Sequence, residues 1–207
     1  MKEHPILFSG EMVQAIPEGY KTMTRRVIKP QPDFPVFVKK AVCSYDDESS
    51  YYCWWLLDSL DLTIDDCSFL RCPYGVPGDH LWAKETWGIG TQLAGGIVYR
   101  ASGGRLADGE HWHPSIFMPR ELSRITLEIT NIRAERLQDI TEEDAMKEGM
   151  ARELRAALGY SPEVSEETFN LTQARDTFRI LWDKLNSKRG HGWKKNDWVW
   201  VIEFKKI

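Results

Sequence analysis

Two segments of this chain alternate apolar and polar residues with a period of two, and they constrain the fold more than any other feature. In residues 123–137, Ile125, Leu127 and Ile129 alternate with polar neighbours, and the segment 198–206 sets Trp198, Trp200, Ile202 and Phe204 on one face. A period of two is that of a β-strand. PILF at 5–8, PVFVKK at 35–40, HLWAKETW at 80–87 and IVYRA at 97–101 read as further strands. Helical signals are fewer. Ser9 stands as N-cap before Met12, Val13 and Ile16, with Pro17 and Gly19 to end that helix. Thr141 precedes Glu142, Glu143 and Asp144, acids suited to a first turn, and Gly149 closes the segment. Residues 151–170 read as helical with a loop at GYSPEVS. Phe178, Leu181, Trp182 and Leu185 fall at i, i+3, i+4 and i+7, an amphipathic helix. Strands do not alternate regularly with helices, so a doubly wound parallel sheet is disfavoured. The expectation is an α+β domain: a small twisted barrel with flanking helices. It would span residues 1–207 as one unit, with insertions at about 30–75 and 150–175.

Charge narrows the partners. Residues 44–66 hold seven acids and no Lys or Arg, and without that segment the formal charge of −4 becomes +3. The remaining cations concentrate at Lys21 to Lys29 and Lys184 to Lys195. Such a body permits a nucleic-acid or nucleotide ligand without requiring one. No run approaches the roughly 20 apolar residues of a membrane span, and MKEHPILFSGEM lacks the apolar stretch of a secretion signal. The expected location is the cytoplasm, with no membrane partner. Nothing in the pattern fixes an oligomeric state. Cysteines 43, 53, 67 and 72 lie within one acidic stretch without a C-x-x-C knuckle, so buried or surface thiols are favoured over a zinc site. Neither a metal nor a cofactor is expected.

Four places carry polar groups suited to chemistry. In Gly19-Tyr20-Lys21-Thr22-Met23-Thr24-Arg25-Arg26, fork-shaped guanidinium donors suit a carboxylate or phosphate. Lys21, crowded by Arg25 and Arg26, should lose proton affinity through like charge, a direction suited to a base. Thr24 and Arg26 share a face if this is a strand, and Lys21 joins them only if the backbone turns between 21 and 24, a turn that Gly19 favours. On spacing alone, a solvated basic edge is the simpler reading. Glu148, in the last turn of a short helix, faces the negative end of its dipole, where a general acid or base is well placed; a surface glutamate is the plainer alternative. PGDHLWAKETW offers Glu85 and Trp87. HWHPSIFMPRELSR offers His111, His113, Arg120 and Arg124, aromatic and guanidinium groups such as base-stacking pockets use. Two histidines without a nearby third ligand favour a structural or exposed loop over zinc.

The order GYKTMTRR, PGDHLWAKETW, ITEEDAMKEGM and a terminal WVWVIEFKKI resembles the ASCH family, relatives of the PUA RNA-binding domain. It looks most like the longer, phage and prophage members, nearly end to end. The resemblance implies a small β-barrel with helices around a cleft lined by the Gly-x-Lys-x-x-Thr-x-Arg segment, and a nucleoside or RNA ligand. A minimal bacterial member hydrolyses the acetyl amide of N4-acetylcytidine with a Lys, a Thr and a helix Glu. By that resemblance the catalytic positions are Lys21, Thr24 and Glu148, and Arg26 takes the place of the Arg after the Thr. Gly19, Glu85, Trp87, Arg120 and Arg124 join Arg26 as candidate substrate contacts. Pro17 departs from the pattern, and the acidic segment 43–72 has no counterpart in the minimal enzyme.

Two functions therefore stand. One is amide hydrolysis of an acylated cytidine or related modified nucleoside. The other is non-catalytic binding of RNA or a modified base, with the basic segment Lys188 to Lys195 on the phosphates. The absence of an obvious acidic metal cluster weighs against a metal-dependent nuclease.

Overall fold

A computed structural model describes residues 1–31, 37–44, 50–57, 68–70, 72–90, 96–150 and 174–207, the three stretches within 37–70 by their backbone alone. The two strands with the clearest alternation form its centre. β9 (Thr126–Arg136) pairs antiparallel with β10 (Trp198–Lys206), with a register shift between Glu203 and Phe204. Residues Trp198 to Ile202 are buried at every position, so both faces of β10 are covered and the one-sided pattern read from its Trp and Ile residues is incomplete. Val199 and Val201 supply the second face. A strand covered on both sides reads as a continuous apolar run.

On the free side of β10 lies β2 (Met23–Val27), antiparallel, with Ile202 opposite Thr24, Val201 opposite Arg25 and Trp200 opposite Arg26. The buried strand thus fixes the register of the polar segment. On the other side, β9 pairs with β6 (His80–Lys84), and β6 pairs in parallel with β1 (Glu3–Leu7). The order is β1-β6-β9-β10-β2, which leaves β1 and β2 as edges. Among the described residues this sheet does not close into a barrel. Its edges nevertheless approach one another, because Arg26 Nη2 on β2 donates to the carbonyl of Leu7 on β1 at 2.5 Å. An α+β architecture is present, while the small barrel expected from the sequence is not seen closed among the described residues.

The helices follow their signals. α1 (Gly10–Ala15) buries Met12 and Val13 and starts after Ser9, whose side chain makes no capping hydrogen bond, and Pro17 falls in the turn that follows it. α2 (Glu142–Lys147) starts at Thr141, whose hydroxyl accepts from the amide of Asp144 at 3.1 Å. α3 (Ala174–Asn186) packs against α2 and buries Phe178 and Trp182 in the common core. The helix expected within 151–170 lies outside the described residues.

Two expectations change. HLWAKETW is not one strand: β6 ends at Lys84 and β7 (Trp87–Gly90) starts a separate hairpin with β8 (Gly96–Tyr99). The break falls at Glu85, whose amide donates to Met118 Sδ and whose carboxylate turns inward. The acidic stretch 43–72 also carries more structure than its charge suggests. β3 (Phe37–Ser44), β4 (Ser50–Leu57) and β5 (Ser68–Leu70) form a second antiparallel sheet. β4 is SYYCWWLL, aromatic and suited to a strand, while the seven acids fall between the strands, so counting charge over the whole stretch hides them.

Candidate functional site

The gap between the two edge strands is a cavity of about 500 Å³. β1 and the residues after it give Leu7, Phe8 and Ser9; β2 gives Thr24, Arg25 and Arg26; α3 and its C-terminal end give Trp182, Leu185 and Arg189. Lys21 and Glu148 lie on the same wall, although they are 127 positions apart in sequence.

Local backbone chemistry explains their meeting. Gly19 turns the chain after α1 at φ +80°, a left-handed conformation natural to glycine. The amide of Lys21 then donates to the carbonyl of Ala15 at 3.0 Å, and the amide of Thr22 to Lys147 at 2.9 Å. At the end of α2, Glu148 keeps a near-helical backbone and Gly149 leaves at φ +98°, bringing Glu148 opposite Lys21 in an isolated β-bridge. The tight turns placed by Gly19 and Gly149 therefore dock the loop before β2 onto the end of α2.

Lys21 is buried, and its ammonium has three acceptors: Glu148 Oε2 at 2.9 Å, the carbonyl of Glu148 at 2.8 Å and the carbonyl of Met23 at 2.8 Å. Three acceptors match the three donors of an ammonium. Burial lowers its proton affinity below that of an ordinary lysine, and the Glu148 carboxylate pulls it partly back. Arg26 and Arg25 lower it further, but by less. The direction expected from the sequence is present, while its main cause is loss of water and not crowding by like charge.

Arg25 is the residue that sequence reasoning missed. Its side chain is buried and reaches Glu148 Oε1 at 3.4 Å, Asp144 Oδ2 at 2.6 Å and Glu135 Oε2 at 3.2 Å. Arg133 bridges the same Asp144 at 2.7 Å and also contacts Glu135 and Glu203. Glu148 is thus held from two sides, Oε2 by Lys21 and Oε1 by Arg25. The only sequence signal was the Arg-Arg pair beside a helix whose first turn carries acids; strand alternation pointed to Arg26 instead. Arg26 spans the gap, with its guanidinium 5.4 Å from the Phe8 ring centroid. Thr24 is buried on the cavity wall. Ser9 Oγ, on the same wall, is buried with no hydrogen-bond partner among the described residues.

The remaining candidates lie elsewhere. Glu85 is buried and holds Arg124 in a two-pronged ion pair at 2.7 and 2.9 Å, and Arg124 lies over the Tyr99 ring at 4.2 Å. Arg124 borders a separate cavity with Gln14 and Lys206. Trp87 stacks on His113 at 4.4 Å, and the two residues exchange backbone hydrogen bonds. Arg120 grips Glu3 at the surface through two contacts of 2.8 Å. Gly19 shapes the approach to Lys21 without lining the cavity. Among the described residues, no group of three or more His, Cys, Asp or Glu is arranged to hold a metal ion. Cys72 is buried with its thiol pushed up to about 12, so it stays protonated; the side chains of Cys43, Cys53 and Cys67 lie outside the described residues.

Comparison with protein-family models, with curated proteins and with solved structures finds no match. Among the described residues, no helix is long and apolar enough to cross a membrane.

Proposed function

We propose that this is an ASCH-like protein of PUA-like ancestry whose edge-strand cavity takes a nucleobase or nucleoside and hydrolyses an amide on it, an N4-acylated cytidine being the model substrate. The observation that carries the reading is the buried Lys21–Glu148 pair on the wall of a cavity that also holds Thr24 and Arg26. A buried amine of lowered proton affinity beside a hydroxyl and a carboxylate is the equipment of nucleophilic acyl transfer. Neutral Lys21 takes the proton of the Thr24 hydroxyl, whose oxygen attacks the acyl carbon. Arg26 or a backbone N–H stabilises the oxyanion. The C–N bond breaks as Lys21 passes the proton it took from Thr24 to the leaving amine, and Glu148 activates the water that cleaves the threonyl ester. The balance is acylcytidine plus water giving cytidine plus carboxylic acid.

The test is incubation with N4-acetylcytidine and detection of cytidine and acetate by mass. Wild type is expected to turn over, and Lys21→Ala, Thr24→Ala and Glu148→Gln each to lose roughly two or more orders of magnitude. Unchanged turnover in Lys21→Ala and Thr24→Ala would remove the mechanism. One observation favours the rival reading, a module that binds without breaking a bond: all three donors of the Lys21 ammonium are already engaged by protein acceptors. That reading predicts nucleoside or RNA binding with no product.

A further inference from the structure

A second hollow, of about 380 Å³, adjoins the first. The two share Arg26, Val27, Tyr74, Asn186 and Arg189, so these residues form the threshold between them. Their chemistry differs. The first hollow has Glu148 in its wall, whereas the second is lined by Arg26, Lys29, Arg189 and His191, with no acidic residue among its described lining. Lys29 and Arg189 are exposed and form no ion pair among the described residues. His191 is held through Nδ1 by the buried carboxylate of Asp197 at 2.6 Å, which leaves Nε2 for a ligand. Asn186 adds an amide. Cations and neutral donors in the described lining, with the Asp197 carboxylate set behind His191 and engaged by its Nδ1, suit an anion with several acceptor oxygens.

We propose that the second hollow is a phosphate subsite, so that the ligand is a nucleoside carrying a phosphate ester, its base in the first hollow and its phosphate beyond the Arg26–Tyr74 threshold. The proposal rests on the nucleoside reading of the first hollow. The phosphate can belong to a free mononucleotide or to a nucleotide within RNA, and the chemistry of recognition is the same.

The experiment measures calorimetric affinities of cytidine, cytidine 5′-monophosphate and a short oligoribonucleotide, with inorganic phosphate followed separately by ³¹P NMR. Wild type is compared with Lys29→Ala and His191→Gln, substitutions at residues that line only the second hollow. In wild type the monophosphate is expected to bind about tenfold or more tighter than cytidine, the worth of a charge-assisted hydrogen bond or two. That ratio should fall severalfold in each variant and shrink with added salt. A further gain for the oligoribonucleotide assigns the phosphate to RNA, and no gain assigns it to a mononucleotide. Cytidine bound with no advantage from the phosphate, or an advantage both variants retain, overturns the subsite and leaves the nucleoside reading intact. Inorganic phosphate bound by wild type and weakened in the variants, with no nucleoside bound, keeps the subsite and removes the nucleoside reading.

Discussion

At Lys21, burial and pairing act in opposite directions, and the balance can be measured. Burial lowers its proton affinity and Glu148 raises it. NMR titration of the lysine side chain should give a midpoint below that of a free lysine, and Glu148→Gln should lower it further, because the opposing charge is gone. A midpoint at the ordinary lysine value would contradict the burial described. The sign for stability follows. The unfolded chain binds the Lys21 proton more tightly than the folded one, so this residue's cost is full below the lowered value. It is released as pH rises toward the ordinary lysine value, and stability from this group rises with pH across that window. Denaturant unfolding of Lys21→Met should lack that component. Arg25 makes a different prediction. It is buried among Glu148, Asp144 and Glu135, so Arg25→Met leaves these carboxylates short of their shared cation. The expected loss is about 3–5 kcal/mol of unfolding free energy, the usual cost of breaking a buried charged network from one side. A loss below about 1 kcal/mol, the worth of an exposed pair, would show that the network contributes little.

Among the elements, α2 matters out of proportion to its length. Its N-terminus is fixed by the Thr141 hydroxyl on the Asp144 amide, and Thr141→Ala should cost about 1 kcal/mol in thermal or denaturant unfolding. Its C-terminal exit depends on Gly149 at φ +98°. An added Cβ would sit at ordinary contact distance, 3.4 Å from Met12 Sδ and 3.5 Å from Lys21 Cβ, so the strain of Gly149→Ala is in the backbone. About 1–2 kcal/mol is expected, together with a disturbed Lys21–Glu148 pair. Loss of stability without any change in the Lys21 titration would show that the exit turn does not position the carboxylate. Thr141 and Gly149 were legible because capping chemistry is local. The β4 strand was not, because the acids between strands dominated the count over the whole acidic segment.

For the described molecule as a whole, β1 and β2 are the edges of the sheet, and the Arg26 guanidinium reaches across from one to the Leu7 carbonyl of the other. The cavity occupies the space where further strand pairing would close a barrel. Amides of β9 and β10, paired on both sides and buried, should exchange with solvent most slowly, and those of β1 and β2 faster, since an edge strand opens at lower free energy. Equal protection across all five strands would contradict an open sheet. Trp200, buried at the centre of β10 opposite Arg26 and Ala134, carries much of the packing, and Trp200→Ala should cost about 3–5 kcal/mol.

Taken alone, the sequence determined the strands of period two, the Thr141 cap, the turns at glycine and the presence of Lys21, Thr24, Arg26 and Glu148 as candidates, because each depends on neighbours within a few residues. Only the tertiary structure decided that β10 is buried on both faces, that β1 and β2 are edges among the described strands, that Glu85 and Arg124 pair away from the cavity, and that Arg25 grips the far oxygen of Glu148. Those outcomes depend on contacts between distant segments, 39 positions apart for Glu85 and Arg124 and 123 for Arg25 and Glu148, and the cost of removing charges from water is set by what the whole chain places around them.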